Sequence, residues 1–222
     1  MKKILLALML AGCISTMVSA QSTSTYKRKG CHLTFINQAP GLDPALQEKL
    51  VNTFFTVYPK LAKAYNTHTA KSVTFVMDTT YNGVAATDNG RVVFSFKYMK
   101  SHPKDIDVVT HEVMHIVQDY GDSNGPGWLT EGIADYARNK FGVDNAGAGW
   151  CLPDYKPTQN YTNSYRITAR FLVWIEEKYK PDMVKELDKA MRDHTYHDDI
   201  WKEKTGKSLD ELWTAYAQNP VI

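Results

Sequence analysis

One short motif constrains this sequence more than any other feature, because it fixes the spacing of two histidines on a helix. Residues 111–120 read HEVMHIVQDY and contain the pattern His-Glu-x-x-His. Apolar residues recur every three or four positions around it, at Ile106, Val109, Val113 and Ile116, which is typical of a helix with one buried face. The pattern therefore predicts an amphipathic helix that directs both histidines to the same side.

His111 and His115 lie one helical turn apart, so their imidazole rings can both reach a single Zn²⁺ at about 2.0–2.1 Å. Glu112 stands beside a ligand instead of acting as one, where it can take a proton from an attacking water that the metal activates. We therefore predict a zinc cofactor held by this helix, with Glu112 as the general base of a hydrolytic reaction.

A catalytic zinc site takes three ligands from the protein and keeps one position open. Residues 128–138 predict a second helix, on which Glu131 follows His115 by 131 − 115 = 16 residues, enough for the chain to turn at Gly121 and return. Asp135 lies one turn beyond Glu131, where its carboxylate can accept a hydrogen bond from a ligand histidine. We predict Glu131 as the third ligand and Asp135 as the residue that orients a ligand.

The first 20 residues have the features of an export signal. Lys2 and Lys3 precede an apolar run that ends near Leu10, and small residues lead to a cleavage site after Ala20. A second interpretation stays open, because the chain before Cys13 is similar to a lipoprotein signal that would leave a lipid anchor on that cysteine. We expect a secreted or periplasmic protein, and no other apolar run predicts a transmembrane span in its mature form.

Composition fits one folded domain over residues 31–222, preceded by a polar, flexible leader at 21–30. The formal net charge of +2 falls to 0 when the two lysines of the signal are removed. A neutral chain gives no electrostatic reason to expect a nucleic-acid partner. Cys31 and Cys151 could form a disulfide in an oxidising compartment or remain reduced, and their spacing leaves both open.

The order of predicted elements favours an α+β fold, with a small mixed sheet and one long helix followed by a mainly helical C-terminal half. The long helix opens at Asp43 and Pro44, and residues 81–90 are expected to be turns. Residues 91–97 could form an exposed edge that pairs with an extended peptide, or an ordinary core strand. Strands are expected at 32–37, 73–77 and 92–96, and later helices at about 162–179, 182–192 and 208–217.

A second cluster of possible metal ligands lies near the C-terminus. His194 and His197 are about one helical turn apart and stand beside Asp198 and Asp199. The same residues would also be ordinary on a solvated surface.

The motif residues carry a resemblance to a known family. Residues 105–118, together with 127–136, resemble the basic secretory proteins, peptidases of plants and bacteria. Residues 83–87 and 165–172 are similar as well, so the resemblance covers the chain from about residue 30 to its C-terminus. It implies a zincin-like fold of the gluzincin branch, secretion, and zinc-dependent proteolysis. One departure is the neutral charge after processing, which differs from the basic plant members.

The resemblance also bears on individual residues. In the gluzincins the glutamate of the second helix is the third ligand and the aspartate orients a histidine, which implies these roles for Glu131 and Asp135. A zinc peptidase also needs a donor for the developing oxyanion. Tyr165 lies in a family-like segment and is our candidate, although a tyrosine on an apolar helix face can also belong to the core.

These inferences predict a secreted zinc metallopeptidase that acts as a monomer on a peptide or protein substrate. An alternative of a different class is a catalytically inactive binding module that keeps the zincin fold to recognise an extracellular or cell-surface ligand. The presence of His111, Glu112, His115 and Glu131 argues against this alternative, since binding alone does not require all four.

Overall fold

The computed structural model describes residues 21–122 and 125–222, so the predicted export signal and Cys13 lie outside the described residues. Within them, one mixed sheet contains β1 (Ser22–Arg28), β2 (Cys31–Asn37), β3 (Ser72–Asp78), β4 (Ala85–Asp88) and β5 (Arg91–Ser95). The strand order is β1-β2-β3-β5-β4. The three central strands are parallel, and the two edge strands are antiparallel to their neighbours.

The helices confirm the predicted α+β layout, because all but the first follow the sheet in sequence. They are α1 (Pro44–Ala64), α2 (Phe96–Ser101), α3 (Val108–Gln118), α4 (Gly127–Phe141), α5 (Tyr165–Lys178), α6 (Met183–Arg192), α7 (Ile200–Thr205) and α8 (Leu209–Gln218). The short helices α2 and α7 were not predicted, and Phe96, expected to end a strand, begins α2. Helix α5 starts later than expected, because residues Tyr161–Asn163 form a separate 3₁₀ turn.

The predicted flexible leader at 21–30 is wrong for most of its length, because Ser22–Arg28 forms the edge strand β1. Lys29 and Gly30 connect it to β2 with φ angles of 51° and 78°. Positive φ at both central residues is the geometry of a type I′ hairpin turn. The polar composition of β1 gave no sign of a strand, because an edge strand that buries few side chains does not need alternating apolar residues.

A second hairpin also departs from the prediction. Asn89 and Gly90 have φ angles of 45° and 73° and join β4 to β5 within the region that was expected to be turns. An Asn-Gly pair is a strong hairpin signal. Because β5 pairs on both sides, it is a core strand, with Val92 and Phe94 fully buried. The edge on this side of the sheet is therefore β4, and not residues 91–97.

Helix α1 packs against α3 and contacts β2, and it begins where the sequence predicts. The Asp43 side chain accepts a hydrogen bond from the backbone N–H of Ala45, and Pro44 occupies the first turn. The chain that follows α1 then holds the last turn of α3, since Asn66 donates to the carbonyl of Val117 at 3.0 Å. This contact fixes the position of the helix that carries the His-Glu-x-x-His motif.

Helices α4 and α5 approach each other closely at a glycine. A Cβ atom at Gly132 would lie 2.2 Å from Cγ2 of Thr168 and 2.7 Å from its Cβ, so any larger residue would separate the two helices. Because Gly132 follows Glu131 directly, this close packing brings the start of α5 to the motif helices.

Both cysteines in the described part of the chain are free, Cys31 partly buried and Cys151 exposed. The structure therefore agrees with reduced thiols. Among residues 21–122 and 125–222, no helix combines the length and the apolar character needed to cross a membrane.

Candidate metal centre

The structure brings His111, His115 and Glu131 together, although the three lie on two helices. Nε2 of His111 is 3.2 Å from Nε2 of His115 and 3.2 Å from Oε2 of Glu131. Nε2 of His115 is 3.5 Å from the same carboxylate oxygen. In a tetrahedral site, two ligand atoms at about 2.0–2.1 Å from zinc are about 3.3–3.4 Å apart. The three atoms therefore lie at the mutual spacing of ligands to one zinc ion.

Asp135 orients the first histidine. Its Oδ1 is 2.7 Å from Nδ1 of His111, and both side chains are buried. Because a carboxylate accepts and Nδ1 must then donate, this contact leaves Nε2 of His111 with a free lone pair directed at His115 and Glu131.

Gln118 does the same for the second histidine, a contact that the sequence analysis did not identify. Its Nε2 donates to the carbonyl of Thr130 at 2.8 Å, which places its Oε1 2.7 Å from Nδ1 of His115. Nδ1 of His115 must therefore donate, and Nε2 again carries the free lone pair. The available signal was position, since Gln118 follows His115 by three residues on the same helical face.

The electrostatics of the three groups favour a positive charge between them. Burial lowers the pKa of His111, but hydrogen bonds to Asp135 and Glu131 outweigh it and raise the pKa to about 10. Burial raises the pKa of Glu131, yet hydrogen bonds from both histidines hold it below its ordinary value. Either a proton or a metal cation at the centre satisfies two imidazole lone pairs and a carboxylate. Two imidazoles with one carboxylate form a donor set that suits catalytic zinc.

Glu112 is buried beside the candidate ligands, and it is hydrogen-bonded to the edge strand β4. Oγ1 of Thr87, on β4, lies 2.6 Å from Oε2 of Glu112 and 3.1 Å from its backbone carbonyl. A hydroxyl at that distance donates to the carboxylate and restrains its rotation. Residues 83–87 lie in a segment that resembles the family, but no pattern in the sequence indicated a role for Thr87.

Tyr165 stands over the metal-binding group as the first residue of α5. Its ring stacks on that of His111, with centroids 6.1 Å apart and an angle of 18° between the planes. The side chain is 53% exposed, so it does not belong to the core. The charge of Glu131 and partial burial raise the pKa of Tyr165, which keeps its hydroxyl protonated and able to donate.

The backbone at this point is strained. Ser164 and Tyr165 have φ angles of 68° and 51°, and consecutive non-glycine residues in this region are rare. Such strain concentrates at functional sites, where neighbouring packing maintains it. Here the α4–α5 packing at Gly132 provides that support.

These groups open into a cleft of about 1170 Å³. Small-molecule pockets usually enclose about 300–1,000 Å³, so this cleft suits a longer ligand. We call the part formed by α3 and α4 the ligand side. We call the part formed by residues 83–87, Trp150, Tyr165 and Arg166 the rim.

The C-terminal histidine cluster does not join this site. His197 lies 3.8 Å from the carboxylate of Glu203, and both side chains are largely exposed. Among the described residues, the one group of three or more side chains placed to hold a metal is His111, His115 and Glu131.

A comparison with known families identifies the chain. The model of the BSP family, described as a peptidase of plants and bacteria, matches residues 17–216. The chain belongs to this family. This confirms the predicted resemblance to the basic secretory proteins. None of the curated proteins matches the sequence.

Solved structures show the fold. Aminopeptidase A from Legionella pneumophila, solved in complex with aspartic acid, aligns with a TM-score of 0.57 at 15% identity, over 88% of this chain and 27% of that one. An M1 zinc metallopeptidase from Deinococcus radiodurans aligns with a TM-score of 0.45 at 14% identity, over 91% of this chain and 48% of that one. The chain thus spans less than half the length of either protein. The first alignment confirms the zincin-like fold.

Proposed function

We propose that this protein is a zinc-dependent peptidase in which His111, His115 and Glu131 hold the metal and Glu112 is the general base. The observation that carries the proposal is the convergence of three ligand atoms, with a buried carboxylate beside them that is not one of the ligands. Membership in a peptidase family supports the same reaction.

The residues present fit zinc because both histidines offer Nε2 lone pairs to one point and the carboxylate supplies negative charge there. When bound, zinc polarises a carbonyl and lowers the pKa of a water molecule toward about 7. Asp135 and Gln118 hold the two imidazoles in the tautomer that this binding needs.

Glu112 takes the proton of the attacking water and delivers it to the leaving amine. The hydroxyl of Thr87 occupies Oε2 of Glu112 and leaves the other oxygen for the water. Tyr165 donates a hydrogen bond to the developing oxyanion from its position over His111.

The substrate is a peptide that lies along β4. As the sheet edge, this strand leaves backbone N–H and C=O groups without a partner strand, and an extended peptide can pair with them. Residues 83–87 line the cleft directly above the metal-binding group, which would place a paired peptide next to Glu112.

Export is part of the proposal. A basic start, an apolar run and small residues before residue 21 support a secreted or periplasmic location, with a lipid anchor at Cys13 as the second possibility. Mass analysis of the mature N-terminus from the native host separates the two, since lipidation would leave a modified Cys13.

The experiment that tests the catalytic proposal is Glu112→Gln in the zinc-loaded protein. Glu112 is not a ligand, so the variant should keep zinc and its melting temperature while losing at least about 10²–10⁴-fold in turnover of a cleaved peptide. Glu48→Gln, the same change at an exposed position, is the matched control.

Two outcomes would contradict the proposal. Full-rate cleavage by Glu112→Gln would reject this residue as the base. Zinc-loaded wild-type protein that cleaves nothing in a diverse peptide library, yet binds peptides as tightly as Glu112→Gln does, would favour the inactive binding module.

A further inference from the structure

Among the described residues, two arginines line the cleft, and Arg138 is the one that the protein buries and pairs. It is buried, its Nη2 donates to Asp105 at 2.5 Å, and its Nε donates to Asn145 at 3.0 Å. Its guanidinium carbon lies 4.5 Å from the centroid of the Trp150 ring. Arg138 therefore stabilises the wall of the cleft and holds Trp150 in place.

Arg166 is exposed at the rim and has most of its donors unused. Its Nη1 makes a long hydrogen bond, 3.4 Å, to the carbonyl of Cys151, the residue after Trp150. None of the ion pairs within residues 21–122 and 125–222 includes Arg166. A guanidinium group has five N–H donors in a planar fork that matches a carboxylate.

Both arginines act on the same part of the cleft. Burial and the neighbouring Asp105 raise the pKa of Tyr98 to about 12, and the charges of Arg138 and Arg166 oppose that shift. Since Asp105 is paired with Arg138 and also accepts from Tyr98 at 2.6 Å, its charge is already balanced. Among the described residues, the charge without an ion-pair partner in this part of the cleft is the guanidinium of Arg166.

The acidic side chains of the cleft are all occupied. Glu112 accepts from Thr87, and Asp135 and Glu131 contact the histidines. Within the described part of the chain, every carboxylate that lines the cleft therefore already has a partner in the protein. The cleft does offer the exposed guanidinium of Arg166, whose one hydrogen bond to the described residues is the long one to the carbonyl of Cys151.

We propose that Arg166, at the rim of the cleft, forms a subsite that binds a carboxylate of the substrate. The inference rests on the proposed peptidase function and names the chemistry that this peptidase selects. The carboxylate can come from two sources, an acidic side chain near the scissile bond or the free C-terminus of the peptide, and the two are separated by experiment.

The experiment uses matched internally quenched peptides. One set moves a single Glu or Gln through each position around the cleaved bond, and the other compares a free C-terminal carboxylate with an amide. We expect the carboxylate member of one set to be cleaved with a kcat/KM roughly 10- to 100-fold higher, the range of a charge-assisted, bidentate pair. A preference within the first set assigns an acidic side chain, and one within the second assigns the terminus.

Variants of Arg166 test whether this residue causes the preference for carboxylate peptides. Arg166→Gln should abolish the preference, mainly through KM, and Arg166→Lys should restore part of it because a single charge remains. Lys178→Gln, which removes the same charge from the far end of α5, should keep the full preference. Zinc content and melting temperature should be unchanged in Arg166→Gln, since this side chain is exposed.

Peptide binding to a catalytically inactive variant tests the subsite independently of catalysis. Zinc-loaded Glu112→Gln should bind fluorescent carboxylate peptides more tightly than their amide or Gln partners, and Arg166→Gln in that background should remove the difference. Equal binding of all peptides, or a preference that persists without Arg166, would overturn the subsite. Absence of cleavage by wild-type protein, together with a carboxylate preference in binding, would instead count against the proposed function alone.

Discussion

The ligand side and the rim of the cleft differ in how completely their polar groups are paired. On the ligand side, His111 and His115 are each fixed through Nδ1 by a buried partner. On the rim, Tyr165 is 53% exposed, and β4 has no neighbouring strand on its outer side. The ligand side is therefore organised before any substrate arrives, whereas the rim keeps its donors available for a ligand.

The difference predicts two kinds of mutational effect. Removing Asp135 or Gln118, the partners of the two histidines, leaves a buried polar group unpaired, which costs about 1–3 kcal/mol, and it also alters metal binding. A change on the rim removes an interaction with substrate and leaves the free protein almost as stable. The following predictions test this contrast, from the largest expected effect to the smallest.

His115→Ala should have the largest effect, because it removes one of three ligands. The purified wild-type protein should contain about one Zn²⁺ per chain, and the variant should lose it together with all peptide cleavage. Elemental analysis after dialysis measures the content. His197→Ala, which alters an exposed histidine outside the cleft, should keep its zinc. Stoichiometric zinc in His115→Ala would mean that the ligand set is wrong.

Tyr165→Phe should lower kcat by about 10²–10³-fold, the usual effect of removing one oxyanion donor, with little change in zinc content or melting temperature. The matched control is Tyr161→Phe, whose hydroxyl donates to Asp210 at 2.8 Å outside the cleft. Steady-state kinetics on one peptide measure both variants. Equal kcat in the two would remove Tyr165 from the catalytic residues and leave it as a surface side chain of the rim.

Thr87→Val should have the smallest effect. It deletes one hydrogen bond to Glu112, worth about 0.5–1.5 kcal/mol, so kcat should fall about 2- to 12-fold while KM and zinc content stay constant. Thr87→Ser keeps the hydroxyl and should restore the rate. If serine behaves like valine, the effect of this position comes from packing of the strand, and the hydrogen bond does not position the base.

The strands show where the sequence pattern misleads. Apolar alternation predicted β2, β3 and β5, because these strands bury side chains in the core. The edge strands β1 and β4 carry mostly polar or small residues and were predicted as a leader and as turns. Their signals were the hairpin turns at Gly30 and Gly90, which are local and were available in the sequence.

The grouping of the candidate ligand residues was predictable by contrast, because helical spacing is a local property. His111 and His115 meet on one helix face whatever the rest of the chain does, and the sequence also limits Glu131 and Asp135 to one face of the next helix. The capping residues Asp43 and Ser208 likewise mark helix starts that the structure contains.

Only the tertiary structure decided the partners that join distant parts of the chain. Thr87 reaches Glu112 because the sheet edge lies against α3, and Tyr165 reaches His111 because Gly132 allows α4 and α5 to approach. No sequence period encodes these distances, since they depend on how strands and helices pack around a shared core. The sequence by itself therefore determined which groups can bind a metal, and the packing decided what surrounds them and which side of the cleft is left open to a substrate.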